Sequence, residues 1–267
     1  MKYNINITEN EDLMGKNAAR AILNEIIKLN KRKKEIVVLF ASAPSQHATW
    51  KWLKMFWKKL GLRLQKEIAN KIVAFHMDEY LGLNKKSKQL FGNVLKKNLF
   101  APLGFNKKNI FYFDSDVKNL KKNIKKIEDK YKKYSKFDIV LGGIGKLPHV
   151  AFNDPPEAKF NEKKIVKIVN LPEESRIQQV IDKEFEKLED VPKTAITFSL
   201  KPIFDARKIF IMIPRKFKAE SVRKMLDEKI SEKIPASGLR MKNVVRKVSF
   251  FIDKDAASLS KVARKYF

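Results

Sequence analysis

The sequence contains no cysteine and only three histidines among its 267 residues. The lack of cysteine excludes disulfide bonds, thiolate metal sites and a cysteine nucleophile, and three imidazoles leave little for an all-histidine metal site. No uninterrupted apolar run approaches the length that spans a bilayer. The opening segment, MKYNINITENEDL, lacks the basic start and apolar stretch of a signal peptide. We therefore expect a cytoplasmic protein.

Negative charge is also scarce, and the formal net charge of +28 raises nucleic acid as a partner. The lysines, however, are scattered along the whole chain and often fall in helical repeats such as KNLKKNIKKIEDKYKKY, from Lys118. An apolar stripe at helical spacing runs through that repeat, which is typical of a core-packed helix with a solvated lysine face. There is no zinc-finger spacing, basic zipper or RNP-like motif. The pattern argues against a nucleic-acid partner.

Apolar, β-rich runs alternate with amphipathic helical patterns along the chain, and 44% of the residues are hydrophobic, enough for a large core. Continuously apolar strands are typical of sheets covered on both faces. The pattern predicts one α/β domain, residues 1–267, with a Rossmann-like open, mostly parallel sheet flanked by helices on both faces. The predicted strands cover residues 35–42, 71–77, 109–113, 137–143, 194–200, 208–214 and 248–253. The predicted helices cover residues 11–30, 46–60, 87–98, 117–134, 174–188, 217–230 and 255–265.

In such sheets ligands bind beyond the carboxyl ends of the strands, so the residues after each apolar run are the candidates for a site. The first of these loops is ASAPSQ, residues 41–46. Its backbone N–H groups and the hydroxyls of Ser42 and Ser45 are suited to an anion that rests on a helix N-terminus. The alternative is that Ser45 only caps the next helix.

The segment HMDEYLGL places two carboxylates, Asp78 and Glu79, directly after a predicted buried strand. An acidic residue there is either part of a salt-bridged scaffold or a base in a partly dry cleft, and the sequence leaves both open. His76, between two apolar residues, is expected to pack or to hydrogen-bond and not to catalyse.

The segment GGIGKLPHVAFNDP contains three of the nine glycines of the chain and follows the apolar run FDIVL. Gly143 and Gly145 allow a sharp turn and a close approach to a ligand. His149 and Asp154 are near enough in sequence to meet across the following turn, and an imidazole paired with a carboxylate transfers protons at neutral pH. The alternative is a structural histidine held by one hydrogen bond, and spacing alone does not choose between the two.

Two further segments, ESRIQQ and PRKFKAE, place cationic side chains at the beginning of helical patterns. Arg176 and Lys218 are suited to clamp a phosphate, the arginine through two parallel hydrogen bonds and the lysine as a point charge. In a chain with 58 basic residues, the alternative for each is a solvated surface charge.

Together these segments resemble the glucosamine-6-phosphate deaminase (isomerase) family, which is related more distantly to 6-phosphogluconolactonases. The resemblance runs from the ASAPSQ loop almost to the C-terminus. It is carried by FHMDEYLGL, FGNVL, GGIGKLPHVAFNDP, SRIQQVID, IPRKFKAESV, EKIPASGLR and FFIDKDAAS. The order of MDEY and HVAFNDP is highly specific, and AFNDP favours the deaminase branch over the lactonase branch.

The resemblance implies an enzyme without a cofactor or metal that converts glucosamine 6-phosphate and water to fructose 6-phosphate and ammonia. It implies that His149 assists ring opening, that Asp154 orients its imidazole, and that Asp78 moves a proton between C2 and C1. The residues that it implies for phosphate binding are Ser42, Ala43, Ser45, Arg176 and Lys218, and those that it implies for sugar contact are Glu79, Gly143 and Gly145.

The chain departs from the family inside the glycine-rich segment. The family typically has Gly-x-Gly, any residue, Asp or Asn, and Gly before the histidine, whereas this chain has Lys146, Leu147 and Pro148 before His149. A leucine side chain cannot form the hydrogen bond of an acid or amide, so the sequence predicts reduced or altered activity. The alternatives are a weakened relative that still binds a phosphosugar and a 6-phosphogluconolactonase-like hydrolase. The gluco or galacto configuration and a homo-oligomeric state stay open.

Overall fold

A computed structural model of the chain describes residues 3–267, so the first two residues of the opening segment lie outside the described part. Within that part, ten strands and nine α-helices are joined by loops and short helical turns. The strands are β1 (Ile5–Thr8), β2 (Ile36–Phe40), β3 (Ile72–His76), β4 (Asp78–Tyr80), β5 (Ile110–Phe111), β6 (Ile139–Gly142), β7 (Val166–Asn170), β8 (Thr194–Phe198), β9 (Lys208–Ile213) and β10 (Val248–Asp253). The helices are α1 (Glu11–Asn30), α2 (His47–Lys58), α3 (Leu62–Lys71), α4 (Phe91–Leu95), α5 (Leu120–Tyr134), α6 (Glu173–Ile181), α7 (Leu200–Phe204), α8 (Ala219–Asp227) and α9 (Lys254–Ala257).

Seven strands form one sheet in the order β1-β10-β9-β6-β2-β3-β5. Every neighbouring pair is parallel, which confirms the predicted open parallel sheet. From β2 the chain adds β3 and β5 on one side and β6, β9 and β10 on the other. Loops that leave adjacent strands in opposite directions open a crevice at the carboxyl edge, so the boundary between β2 and β6 is the expected ligand site.

Both faces of this sheet are covered. All five residues of β2 are buried, and they alternate between two apolar cores. One core joins Val37 and Leu39 to helices α5, α8 and α9, and the other joins Ile36, Val38 and Phe40 to α1, α2 and α3. The helix layers on both faces confirm the predicted α/β class.

Three strands form a second, antiparallel sheet, and the sequence predicted only one of them, β8. The run TAITFSL forms β8 as expected, but β8 pairs antiparallel with β4 and β7 and not with the main sheet. The strands β4 and β7, and β1 at the edge of the main sheet, were not predicted. Polar side chains interrupt all three, since β1 reads INIT, β4 reads DEY and β7 reads VKIVN.

The long helices agree with their predicted positions. Helix α1 covers the predicted residues, with an Asn10 cap that accepts a hydrogen bond from Leu13 N at 3.0 Å. Helix α9 ends at Ala257, well before the predicted end at residue 265. Helix α3 was missed because only Ile68 and Ala69 are buried, which leaves a weak apolar stripe. No helix within residues 3–267 is long and apolar enough to cross a membrane.

Candidate active site

The loops that follow β2, β6 and β9 enclose a cavity of about 760 Å³ at the switch point of the main sheet. Helix α6 and the segment after β3 form its other walls. This volume lies within the range of about 300 to 1,000 Å³ that small-molecule sites occupy. The position agrees with the strand-end rule used on the sequence.

Asp78 lies in the wall of this cavity because the chain changes sheets there. Met77 N donates a hydrogen bond to Phe40 O at 2.9 Å, and Phe198 N donates to Met77 O at 3.1 Å, which ties Met77 to both sheets. Asp78 then begins β4, opposite Thr197. Its side chain is almost fully buried, and this burial raises the pKa of Asp78 to about 7.

The side chain of Glu79 points away from the cavity and binds the N-terminus of helix α4. Its carboxylate accepts hydrogen bonds from Tyr80 N at 3.0 Å, Phe91 N at 3.0 Å and Gly92 N at 2.9 Å. Burial raises the pKa of Glu79 to about 8 and lowers the pKa of His76, whose Nε2 is 3.6 Å from the Glu79 carboxylate, to about 3. Glu79 is not among the residues that line the cavity, so the structure does not place it where the sequence predicted a sugar contact.

Two glycines of the loop after β6 are required by close contacts. A Cβ at Gly143 would lie 2.9 Å from Ser45 Oγ and 3.0 Å from Met212 O, so glycine lets the loop after β2 approach. A Cβ at Gly145 would overlap the ring of His149 at Nε2, so the imidazole occupies the space that a side chain would need. Both glycines line the cavity.

His149 and Asp154 form the pair that their spacing suggested. His149 Nδ1 and Asp154 Oδ1 are 2.5 Å apart, and with the carboxylate ionised the imidazole nitrogen is the donor. Asp154 is buried, whereas the His149 side chain is 17% exposed and lines the cavity. Nε2 of His149 makes no hydrogen bond within residues 3–267. The pair is therefore suited to move a proton through Nε2.

Lys146, Leu147 and Pro148, which differ from the family pattern, form a loop that hydrogen bonds hold at both ends. Ser221 Oγ donates a hydrogen bond to Lys146 O at 2.5 Å, and Ala236 N donates to Pro148 O at 2.7 Å. Pro148 is buried, and the half-buried side chain of Leu147 lines the cavity. An apolar group thus occupies part of the wall where the family pattern has an acid or amide.

The end of the cavity beside β2 and β9 is suited to an anion. Ser42, Ala43 and Ser45 line it, and no side chain of this loop caps helix α2, which argues against the capping alternative for Ser45. Lys218 is 9% exposed at the start of α8, and burial lowers the pKa of its ammonium group to about 8. The ammonium makes no ion pair within the part of the chain that the structure describes.

Arg176 does not reach this cavity. Its guanidinium donates from Nε to Val191 O at 3.1 Å and from Nη2 to Leu188 O at 2.7 Å, which fixes the segment after α6. Helix α6 instead turns Ser175 and Gln178 toward the cavity. The sequence correctly placed α6 beside the site, but it could not show which face of this helix looks inward.

Arg215 lines the cavity and was missed from the sequence. It lies in PRKFKAE directly after β9, the segment from which only Lys218 was selected, so the same strand-end rule could have found it. Its guanidinium forms two hydrogen bonds to Glu11, at 2.8 and 2.9 Å. His47, also missed, lines the cavity at the start of α2, and burial lowers its pKa.

The fold and cavity define an α/β enzyme with an acid–base site next to an anion-binding end. A sequence model of the family "Glucosamine-6-phosphate isomerases/6-phosphogluconolactonase" matches residues 9–248, and the chain belongs to this family. The membership confirms the resemblance that MDEY and HVAFNDP indicated.

Individual relatives agree with this family. The chain is 29% identical to a glucosamine-6-phosphate deaminase of Clostridium novyi, over 92% of this chain and 95% of the relative. A solved monomeric glucosamine-6-phosphate deaminase superposes with a TM-score of 0.84 at 26% identity, covering 96% of this chain and 99% of the other. The 6-phosphogluconolactonase of Thermotoga maritima shares the fold, with a TM-score of 0.72 at 19% identity over 95% of this chain and 100% of the other.

Proposed function

We propose that this protein is a glucosamine-6-phosphate deaminase, which converts glucosamine 6-phosphate and water to fructose 6-phosphate and ammonia. The observation that carries the proposal is the arrangement of Asp78, His149 and Lys218 around one cavity, with Asp154 bonded to the imidazole. Each group has a separate task in the reaction. The proposal is supported by the similarity to proteins that bear this name.

The reaction begins with opening of the sugar ring, for which His149 Nε2 exchanges a proton with the ring oxygen. Asp154 holds Nδ1, which leaves Nε2 as the reactive nitrogen and stabilises the charged imidazole. Because the imidazole lies against the backbone at Gly145, its orientation is fixed before substrate arrives.

Asp78 then serves as the base of the isomerisation. It removes the proton from C2 of the open-chain amino sugar and returns a proton to C1, which leaves an imine at C2 that water hydrolyses to the ketose and ammonia. A base of pKa about 7 holds a proton strongly enough to abstract it and weakly enough to return it near neutral pH. Burial at the sheet junction supplies this pKa.

In this proposal the phosphate binds at the end of the cavity that Ser42, Ala43, Ser45 and Lys218 line. Anchoring this distal group fixes the reacting carbons beside Asp78, so its binding energy contributes to the rate as well as to affinity. The gluco or galacto configuration, homo-oligomer formation and cytoplasmic location stay predictions.

A catalytically weakened phosphosugar-binding relative is the second candidate, and Leu147 is the observation that favours it. Its side chain lines the cavity in the position where the family pattern supplies a hydrogen-bonding group. The two candidates share the anion end and differ only in turnover.

Ammonia release from glucosamine 6-phosphate tests the proposal, with hydrolysis of 6-phosphogluconolactone measured in parallel. Asp78→Asn should reduce kcat by at least about 1,000-fold with little change in phosphosugar affinity, because the amide cannot accept the C2 proton. Asp129→Asn, an exposed carboxylate on α5, is the matched control. Phosphosugar binding without ammonia release would favour the weakened relative, and lactone hydrolysis alone would favour the lactonase.

A further inference from the structure

The anion end of the cavity contains an arginine in an unusual backbone conformation. Arg215 has a φ of 80°, in the left-handed region that L residues rarely adopt and that is normally left to glycine. A non-glycine residue persists there only where surrounding contacts hold it, and such residues cluster at functional sites. Arg215 N donates to Asp253 Oδ2 at 2.8 Å, and Arg215 O accepts from Lys218 N at 3.0 Å.

The side chain of Arg215 is held as firmly as its backbone. Glu11, in the first turn of α1, accepts from Nε at 2.8 Å and from Nη2 at 2.9 Å. Nη1 forms no hydrogen bond within residues 3–267, and the side chain remains 39% exposed. The guanidinium is thus oriented from one side and keeps donors for a ligand on the other.

The surroundings of Arg215 are those of an anion site. No other arginine lines the cavity within the described residues, and the buried ammonium-bearing residue Lys218 follows three positions later. His47 and the serine loop after β2 border the same end. Opposing charges also line the cavity, and among them Asp182, at the end of α6, accepts a hydrogen bond from Gln178 Nε2 at 2.8 Å. The other carboxylates on this side of the cavity are those of Glu174, Glu184 and Glu220.

We propose that Arg215 is the arginine that binds the anionic group of the substrate together with Lys218, in the role that the sequence pattern suggested for Arg176. The proposal rests on the phosphosugar substrate proposed above and assigns the residue that recognises its phosphate. Glu11 fixes the guanidinium and moderates its charge, and Arg176 serves only to hold the carbonyls of Val191 and Leu188. A planar guanidinium suits two oxygens of a phosphate group.

The test measures calorimetric affinity for inorganic phosphate and for fructose 6-phosphate. Arg215→Gly removes the side chain and suits the left-handed backbone, so the variant should fold, which thermal unfolding checks. We expect phosphate affinity to fall by roughly 10- to 100-fold, the effect of losing a hydrogen bond to a charged group. Arg215→Lys should recover part of the affinity.

Three further variants separate the causes of such a loss. Arg215→Gly combined with Glu11→Gln removes the carboxylate that the single variant leaves unpaired, and a persistent loss excludes simple repulsion by Glu11. Arg223→Gln removes one positive charge from α8 outside the cavity and should bind phosphate as the unaltered protein does. Arg176→Lys should also leave phosphate affinity unchanged.

Unchanged phosphate affinity in Arg215→Gly would overturn the proposal. Full recovery of the affinity when Glu11→Gln is added to Arg215→Gly would also overturn it. A loss in Arg176→Lys but not in Arg215→Gly would return the role to Arg176. These measurements need no turnover, so failure to release ammonia would refute the proposed function while leaving the assignment of Arg215 intact.

Discussion

Burial of Asp78 should make the stability of the folded protein depend on pH in a way that one substitution removes. The pKa of this carboxyl rises from 3.8 to about 7 on folding. Between pH 3.8 and about pH 7, Asp78 of the folded protein retains a proton that the unfolded chain has released. Stability contributed by the protonated group is therefore lost as pH rises through this window, and the loss stops once both states are ionised above pH 7.

The expected size follows from the shift. Between pH 5 and pH 7 the loss accumulates over about two pH units, and at about 1.4 kcal/mol per unit it reaches about 3 kcal/mol at pH 8. Asparagine has nearly the shape of the protonated acid and does not ionise. We therefore compare the free energy of unfolding of Asp78→Asn with that of the unaltered protein at each pH. The variant should gain about 3 kcal/mol relative to the unaltered protein between pH 5 and pH 8.

Urea unfolding at pH 5, 6, 7 and 8 measures this difference, with Asp129→Asn as the exposed control. Glu79 and His76 also have altered pKa values and are present in all three proteins. Burial is the main cause of both shifts, and the charge of Asp78 is the smallest cause of the raised pKa of Glu79, so most of their contribution cancels in the comparison. Parallel stability profiles for Asp78→Asn and the unaltered protein would refute the claim that Asp78 is held in a dry environment.

Two further predictions concern the loop after β6. Gly145→Ala should lower kcat at least tenfold and leave phosphate affinity within about twofold, because the new Cβ displaces the imidazole of His149 and does not disturb the anion end. Steady-state kinetics and calorimetry measure the two effects. An unchanged kcat would contradict the assigned position of His149. Leu147→Asp combined with Pro148→Gly should raise kcat by roughly 10-fold or more, since the carboxylate restores the hydrogen-bonding group that the family pattern has there; no gain in ammonia release would mean that the loop has a different task.

Much of the site could be predicted from the sequence because parallel strands bring their carboxyl ends to one edge. Asp78, His149 and Lys218 each follow a strongly apolar run, so the strand-end rule placed them near one another before any side chain was located. The same rule fails for side-chain direction. Glu79 follows Asp78 on a strand and so points to the opposite face.

The remaining differences have equally local causes. Arg176 lies on α6, and its side chain is on the face of this helix that points away from the cavity. The helix has too few apolar residues to define its inward face from the sequence. Arg215 was missed although it follows β9 directly, because the strand-end rule finds a segment and does not choose among its basic side chains, here Arg215, Lys216 and Lys218. The strands β1, β4 and β7 are short and interrupted by polar side chains, so they lack the apolar run that identified the other strands.

A crystal structure with fructose 6-phosphate bound tests the central claim most directly, which is that one cavity holds the acid–base groups and the anion-binding cations around a single phosphosugar. The predicted result is a phosphate group in contact with Lys218 and the loop from Ser42 to Ser45, with C1 and C2 of the sugar within about 3.5 Å of the Asp78 carboxylate oxygens. A sugar bound outside this cavity, or excluded from Asp78 by Leu147, would contradict it.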